Sequence, residues 1–233
     1  MSVALVTGAT EGIGRATAFA LGRHGWSVGV CARTAPKVEA LVGQLRGDGI
    51  EAAGAAGDVG NEDDARRIAR LIQDALGPID TLVNNAGIAV FKSFLEQSLD
   101  DWDRMMATNV RSLYLMTREV LPGMIARRSG AVVNVASLAG RNGVKGGTGY
   151  SASKHAVLGF SRSLLLEVRT LGVRVIAICP GSVDTDLIRS QEDPGAPPRR
   201  ILHPDDVAAT IVSALALPER ALVSELDVRP ANP

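Results

Sequence analysis

Short apolar runs rich in valine, isoleucine and alanine recur along the chain and alternate with stretches of helical spacing. Seven of these runs are predicted to be strands, at residues 3–7, 26–32, 50–56, 79–85, 131–137, 173–179 and 222–228. Most of them lack polar alternation, which is typical of parallel strands that are buried on both faces of a sheet. Helical spacing is found between the runs, at residues 13–24, 36–47, 61–76, 98–128, 150–171 and 204–217.

This alternation predicts right-handed strand–helix–strand units and an α/β fold, a doubly wound parallel sheet of the Rossmann type with helices on both faces. No linker, repeat or low-complexity tract divides residues 1–233, so we expect a single domain. The one irregular segment, 189–200, contains three prolines and mixed charges. It is predicted to be a loop, and residues 188–203 are predicted to form a short lid over the substrate.

Composition narrows the classes of function. The chain has 25 basic and 25 acidic residues, so it lacks the sustained positive field that nucleic acid or an anionic membrane requires. No segment approaches the roughly 20 apolar residues that span a bilayer, and no basic stretch precedes the first apolar run. Cys31 and Cys179 lie far apart in apolar runs and should be small buried residues. We therefore expect a soluble, cytoplasmic protein with a small-molecule partner, without a disulfide or a metal site.

A glycine-rich turn, Thr7–Gly14, follows the first strand and leads into an apolar helix. Such a turn presents free backbone N–H groups and the positive end of a helix dipole, which suits a pyrophosphate. Gly8 permits a tight turn, Gly12 lets the phosphates approach, and Gly14 allows close helix packing. The spacing departs from the usual G-x-G-x-x-G, so a purely structural turn is the alternative.

The residues that follow the second strand indicate which dinucleotide binds. NAD-binding sheets place an acidic residue there, whereas this chain has Arg33, which can pair with a 2′-phosphate. We therefore predict NADP in preference to NAD, although Glu11 in the glycine turn could repel the same phosphate. Asp58 is a candidate for contact with the adenine amino group, and a helix-capping aspartate is the alternative.

Tyr150 and Lys154 are four positions apart, which places them on one face of a helix. A nearby ammonium lowers the pKa of a phenol, so Lys154 could activate Tyr150 for proton transfer and also hold the cofactor ribose. Ser137 ends a strand at the edge where doubly wound folds bind ligands, and could hold a carbonyl oxygen. Asn109 lies in an otherwise apolar helix, which hints at a local distortion or a bound water. An exposed helical pair and a serine that merely ends a strand are the alternatives.

Two further motifs close predicted strands. Asn84-Asn85-Ala86-Gly87 follows the fourth strand, where asparagines can tie neighbouring strands together and border a ring-shaped ligand. Pro180-Gly-Ser-Val-Asp-Thr185 follows the sixth strand and leaves backbone groups free near the same edge.

Taken in order, these motifs strongly resemble the short-chain dehydrogenase/reductase family, and the overall look is nearest its 3-oxoacyl-(acyl carrier protein) reductase-like group. The resemblance runs from residue 3 to about residue 217 and is carried by Thr7-Gly8-x3-Gly12-Ile13-Gly14, Asp58-Val59, Asn84–Gly87, Asn109, Ser137, Tyr150-x3-Lys154 and Pro180-Gly181. It implies a seven-stranded parallel sheet and assembly into homodimers or homotetramers. It also implies that Tyr150 is the general acid/base, Ser137 orients the carbonyl, Lys154 binds ribose and lowers the tyrosine pKa, and Asn109 holds a water in a proton relay.

The same resemblance implies a set of cofactor-binding residues along the chain. These are Gly8, Thr10, Glu11, Gly12, Ile13, Gly14, Arg33, Asp58, Val59, Asn85, Ala86, Gly87, Tyr150, Lys154, Pro180, Gly181, Val183 and Thr185. Substrate specificity is expected to lie in the lid and in Ile88, Ala89, Leu138 and Val183. Arg141 and Lys145 could meet an acidic substrate or carrier, with solvated loop charges as the favoured alternative. The C-terminal "SELDVRPANP" departs from the glycine-rich ending of many relatives, which puts the usual subunit contact in doubt.

The resulting hypothesis is an NADP-dependent carbonyl reductase or alcohol dehydrogenase, with a carrier-bound acyl group as one candidate substrate. An NAD-dependent alcohol dehydrogenase and an NADP(H)-sensing regulator without turnover are the alternatives. An epimerase or dehydratase on this scaffold would usually need a longer chain.

Overall fold

The described strands form one parallel sheet in the order β3-β2-β1-β4-β5-β6-β7. The structure is a computed structural model, and it describes residues 2–189, 201–218 and 220–231. The strands are β1 Val3–Thr7, β2 Ser27–Ala32, β3 Ala52–Ala56, β4 Ile79–Asn84, β5 Gly130–Val135, β6 Val173–Pro180 and β7 Glu225–Val228. The predicted seven-stranded, doubly wound α/β sheet is therefore confirmed.

Helices connect successive strands and cover both faces of the sheet. They are α1 Gly12–Arg23, α2 Ala35–Gly47, α3 Glu62–Leu76, α4 Leu99–Met106, α5 Ser112–Arg127, α6 Thr148–Val168, α7 Asp186–Arg189 and α8 Pro204–Leu215. No helix within the described ranges is long and apolar enough to cross a membrane.

Alternate residues of β1 point into two separate cores. Ala4 and Val6 belong to the cluster that contains residues of α1, α2 and α8. Val3 and Leu5 belong to the cluster that contains residues of α3, α5 and α6. All four side chains are almost fully buried, which explains why the strand lacks polar alternation.

The sheet reverses its winding between β1 and β4. The chain runs outward from β1 to β3, then crosses back so that β4 pairs with the other side of β1. In doubly wound sheets a crevice forms at this switch point, beyond the carboxyl ends of the strands. The glycine turn after β1 and the Asn84–Gly87 motif after β4 therefore border one crevice.

The helix predicted over 98–128 contains a π-helical segment in the structure. It begins as expected, because Ser98 accepts a 3.0 Å hydrogen bond from Asp101 N and Asp101 bonds back to the Ser98 N–H. A π-helical segment, Ala107–Arg111, then separates α4 from α5. The predicted local distortion at Asn109 thus takes the form of a wide helical turn, the kind that frequently marks functional sites.

The predicted lid, 188–203, lies mostly outside the described residues. Its flanks are joined where Val183 and Leu202 form a parallel bridge, with Leu202 N donating to Ser182 O at 2.9 Å and Asp184 N donating to Leu202 O at 2.7 Å. Val183 and Leu202, on either side of this segment, therefore lie side by side near the carboxyl end of β6.

Candidate active site

The glycine turn after β1 packs directly against the segment that follows β4. Gly8 has φ +62°, and a side-chain carbon there would lie 2.8 Å from Ala86 Cα. A side-chain carbon on Gly14 would overlap the Gly8 carbonyl oxygen and Asn85 Nδ2. Both positions therefore require glycine, the first for its left-handed backbone and its close contact, the second for contact alone. Gly14 serves the packing of the turn and does not line the cavity described below.

Asn85 and Thr7 tie the ends of β1 and β4 together. Asn85 Nδ2 donates to the carbonyl oxygens of Thr7 and Gly8, both at 3.0 Å. Thr7 Oγ1 accepts from the backbone N–H groups of Asn85 and Ala86, also at 3.0 Å. These bonds hold the floor of the crevice in one geometry, and they match the predicted role of the asparagine motif in joining strands.

Asn84 extends this connection below the site. Its amide donates to Asn134 Oδ1 at 2.9 Å and to Thr117 Oγ1 at 3.2 Å, and Asn134 donates in turn to Ser161 Oγ at 2.9 Å. Asn84, Thr117, Asn134 and Ser161 are all buried. Buried polar groups with such complete pairing fix the relative positions of β4, β5, α5 and α6.

A cavity of about 300 Å³ occupies the crevice and collects most of the predicted site. Predicted residues that line it are Gly8, Thr10, Glu11, Gly12, Ile13, Arg33, Asp58, Val59, Asn85, Ala86, Gly87, Ser137, Tyr150, Lys154, Pro180, Gly181, Val183 and Thr185. Gly14 and Asn109 do not line it, whereas Thr108, the neighbour of Asn109, does. Of the residues named for specificity, Ile88 and Val183 line the cavity and Ala89 and Leu138 do not.

Two cations stand at the β2 end of the cavity. Arg33 is exposed, lines the cavity and has no ion-pair partner among the described residues. Lys37, on the first turn of α2, also lines the cavity, and its Nζ lies 3.3 Å from Glu11 Oε2. The carboxylate that was expected to repel a phosphate is therefore paired with a cation that the sequence reasoning missed. The available signal was a second basic residue four positions after Arg33.

Asp58 lines the cavity after β3 but does not cap the helix that follows. Its Oδ1 accepts from Gly60 N at 2.9 Å, while the N-cap of α3 is Asn61, which accepts from Asp64 N at 3.1 Å. The helix-capping alternative for Asp58 is therefore wrong. Its contact with adenine stays a prediction.

Tyr150 lies at the other end of the cavity, on the first turn of α6. Burial raises the pKa of the phenol, and a hydrogen bond with the Ser137 side chain offsets part of this rise. The direction is opposite to the lowering that was expected from Lys154. The phenol therefore keeps its proton at neutral pH, since its reference pKa is already near 10.

The ammonium of Lys154 does not reach the Tyr150 hydroxyl in this structure. Its Nζ donates to Val135 O at 2.9 Å and lies 5.9 Å from the centroid of the Tyr150 ring. Burial lowers the pKa of Lys154 to about 8. Desolvation is thus the largest influence on both pKa values, and the expected lowering of the Tyr150 pKa by Lys154 is not found.

Ser137 follows the carboxyl end of β5 and caps a 3-10 turn, Leu138–Gly140. Its Oγ accepts from Ala139 N at 3.1 Å and donates to Pro180 O at 3.5 Å. The second distance is at the limit of a hydrogen bond, so the hydroxyl hydrogen is only weakly held and can turn toward another acceptor.

Asn109 supports the site from behind. Its Oδ1 accepts from Ile88 N at 2.8 Å, and its Nδ2 donates to Ile88 O and to Ser153 Oγ, both at 2.9 Å. The amide thereby fixes the segment after β4 to α6, and its side chain is fully engaged. A water held by Asn109 in a proton relay stays a prediction.

Arg141 and Lys145 do not act as a pair beside the cavity. Arg141 forms ion pairs with Glu225 and Asp227 of β7. It is therefore neither available to an acidic substrate nor a solvated loop charge. Lys145 is exposed and has no ion pair within the described ranges. Cys31 and Cys179 are free and buried as predicted, and burial raises the pKa of the Cys31 thiol to about 12.

Phe91 is a further residue that the sequence reasoning missed. Its ring lies 5.5 Å from the Tyr150 ring, centroid to centroid, at an angle of 52°. Lys92 N donates to Gly146 O at 2.8 Å, which joins the loop of Phe91 to the loop before α6. No sequence pattern marks Phe91, because it lies in an irregular segment and its partner on α6 is distant along the chain.

Comparison with known proteins identifies the family to which this chain belongs. The family described as short chain dehydrogenase matches residues 2–195. A Streptomyces virginiae protein assigned as the ketoacyl reductase of the monensin polyketide synthase is 45% identical over 187 residues, which cover 79% of this chain and 72% of that protein. A 3-oxoacyl-(acyl-carrier-protein) reductase of Synechocystis sp. is 36% identical over 214 residues, covering 90% of this chain and 87% of that one.

A solved structure agrees with the sequence comparisons. The crystal structure of a variant of actinorhodin polyketide ketoreductase with NADPH superposes with a TM-score of 0.92 at 33% identity, covering 98% of this chain and 96% of that one. The fold and the crevice define an oxidoreductase that uses a nicotinamide dinucleotide. The chain belongs to the short-chain dehydrogenase/reductase family, as its motifs predicted. A regulator without turnover therefore loses its support.

Proposed function

We propose that this protein reduces a ketone carbonyl to a secondary alcohol with NADPH, and that Tyr150 supplies the proton. One observation carries the proposal: the cavity that begins at the glycine turn ends at Ser137, Tyr150 and Lys154. A nucleotide site and a proton donor would thus share one cavity.

The lining of the cavity suits NADP. Gly12 has no side chain, so the backbone N–H groups of the turn are open to phosphates. A side-chain carbon at this position would lie 3.0 Å from Thr185 Cγ2 and would narrow the space. Arg33 and Lys37 follow β2, which is three strand positions from β5, or about 14 Å at the usual spacing. Cations at that distance from the strand that leads to Ser137 can hold a 2′-phosphate while the nicotinamide lies at the Ser137 end of the cavity. Bound NADPH would supply the hydride.

The side chains of this protein account for the proton and for orientation. The raised pKa of Tyr150 keeps the phenol protonated, so it can donate to the carbonyl oxygen as negative charge develops there. The Ser137 hydroxyl, weakly held by Pro180 O, can turn to donate a second hydrogen bond to the same oxygen. Lys154, charged below about pH 8, places a cation beside the phenol and faces Gly87 in the cavity. Its charge would favour the phenolate that remains after proton transfer.

The kind of carbonyl follows from the relatives. Two of them are named as ketoacyl or 3-oxoacyl reductases, so a 3-oxoacyl group, free or carrier-bound, is the substrate class that we propose. We also expect a homodimer or homotetramer, which light scattering on the purified protein would test.

A substrate panel tests the proposal. Ketones and 3-oxoacyl thioesters would be assayed with NADPH and with NADH by the absorbance of the reduced nicotinamide. We expect turnover with NADPH in the wild type, none with Tyr150→Phe, and nearly equal NADPH binding by both proteins in a fluorescence titration. Full activity of Tyr150→Phe would remove the assignment of the proton donor, and a strong preference for NADH would favour the NAD-dependent alternative.

A further inference from the structure

The loop that carries Ser137 is joined to the last strand by charge. Arg141 Nε donates to Asp227 Oδ1 at 2.6 Å, and Arg141 Nη2 lies 2.8 Å from Glu225 Oε2. These three residues are called the Arg141 cluster below. Arg141 and Asp227 are 86 positions apart in the sequence, so only the folded chain brings them together.

The Arg141 cluster is partly shielded from solvent. The exposed fractions of its side chains are 27% for Arg141, 19% for Glu225 and 33% for Asp227. Two short bonds from one guanidinium to two carboxylates restrict the direction of the Arg141 side chain far more than a single surface ion pair would. The cluster can therefore fix the loop that ends at Arg141.

Arg141 directly follows the 3-10 turn, Leu138–Gly140, that Ser137 caps. This turn lies against α6 at a catalytic position, because a side-chain carbon on Gly140 would stand 2.6 Å from the Lys154 carbonyl oxygen. A shift of the turn by one ångström would therefore move the Ser137 hydroxyl relative to Tyr150 and Lys154.

The acidic partners lie on β7, which pairs with the strand whose end contacts Ser137. In the register of β6 and β7, Cys179 faces Asp227 and Pro180 faces Val228. Pro180 O is the acceptor of the Ser137 hydroxyl, at 3.5 Å. The Arg141 cluster and the Ser137–Pro180 contact thus both connect the turn after β5 to the paired strands β6 and β7.

We propose that Arg141 is a positioning residue, which fixes the Ser137 turn for proton transfer by binding Glu225 and Asp227 of the C-terminal strand. This inference rests on the proposed reduction. It gives the acidic residues of β7 a role within their own subunit, and it explains why Arg141 is not available to an acidic substrate.

Matched variants separate this role from general stability. Arg141→Gln breaks both bonds of the cluster, and Asp227→Asn weakens one of them. Arg162→Gln and Arg229→Gln are the controls, because Arg162 pairs with Glu225 and Arg229 pairs with Asp227 without adjoining the turn. Arg141→Lys keeps the charge but loses the two-pronged geometry.

We expect kcat to fall about tenfold or more in Arg141→Gln while KM for NADPH changes less than about twofold, because a small misplacement of a reacting group costs rate rather than cofactor binding. Arg141→Lys should recover part of the rate, and the two controls should keep the wild-type kcat. Arg141→Gln and Asp227→Asn together should lower kcat no further than Arg141→Gln alone. An unchanged kcat in Arg141→Gln, or an equal loss in Arg162→Gln, would overturn the proposal.

Hydrogen exchange supplies a readout that does not depend on turnover. Backbone amides of residues 138–142 should exchange faster in Arg141→Gln than in the wild type, and at the wild-type rate in Arg162→Gln. Equal protection in all three proteins would overturn the proposal even for an inactive enzyme. A wild type without ketone reduction would instead contradict the proposed function, so the two failures are distinguishable.

Discussion

The Phe91 ring packs against the Tyr150 ring at a centroid distance of 5.5 Å. Phe91 contributes part of the apolar surface that buries the phenol, and this burial raises the Tyr150 pKa. Phe91→Ala should therefore lower the Tyr150 pKa and move the alkaline limb of kcat for ketone reduction to lower pH. Phe94→Ala is the control, since Phe94 lies on the same loop but is 70% exposed. An identical pH profile for the wild type and Phe91→Ala would contradict this prediction.

The cofactor cradle depends on Gly12. This residue has φ +53°, and an added methyl group would approach Thr185 Cγ2 at 3.0 Å. Gly12→Ala should weaken NADPH binding at least about tenfold and destabilise the fold by about 1–2 kcal/mol. Gly25→Ala is a matched control, because Gly25 has φ +89° and no atom within 4 Å of the added carbon. Gly25→Ala should lower the free energy of unfolding in urea by a similar amount without loss of NADPH affinity. A similar loss of NADPH affinity in both variants would contradict the role of Gly12 in cofactor binding.

Arg33 and Lys37 should decide the choice between NADP and NAD. Arg33→Ala removes an exposed cation from the cavity, so KM for NADPH should rise about tenfold or more while KM for NADH changes little. Lys37→Ala should weaken NADPH binding more than the loss of one phosphate contact would by itself. The substitution also leaves the Glu11 carboxylate unpaired beside the phosphate, where it repels the negative charge. Adding Glu11→Gln to Lys37→Ala should then restore part of the affinity. Steady-state kinetics with both cofactors would measure this, and equal changes for NADPH and NADH would refute it.

Burial of Lys154 predicts a characteristic pH dependence of stability. Its pKa is lowered from 10.5 to about 8, so between these values the unfolded chain binds more protons than the folded one. The contribution of Lys154 to the free energy of unfolding should therefore rise as pH increases from about 8 to 10.5, by about 3 kcal/mol at most. Lys154→Met removes this group. Urea unfolding without cofactor at pH 7.5 and pH 10 should show a stability advantage of Lys154→Met over the wild type that shrinks with pH, and a constant difference would exclude the effect.

The sequence by itself determined the layered sheet and the order of its motifs. Apolar runs without alternation predicted strands buried on both faces, and β1 is found at residues 3–7 as expected. The helices predicted to start at residues 98 and 204 begin within one residue of those positions, because the Ser98 cap and the fixed φ of Pro204 are local properties. Motifs that follow parallel strands meet at one edge of the sheet, so the sequence alone places Ser137 and the glycine turn at that edge.

The tertiary structure decided what depends on distant partners and on burial. Lys37 pairs with Glu11 across 26 positions, and Arg141 reaches Asp227 across 86, contacts that no local pattern encodes. The helix around Asn109 widens into a π-helical turn where its amide bonds to Ile88 and Ser153. The direction of the Tyr150 pKa shift also follows from the folded chain alone, because it is set by desolvation in the surrounding protein and not by the lysine one helical turn away.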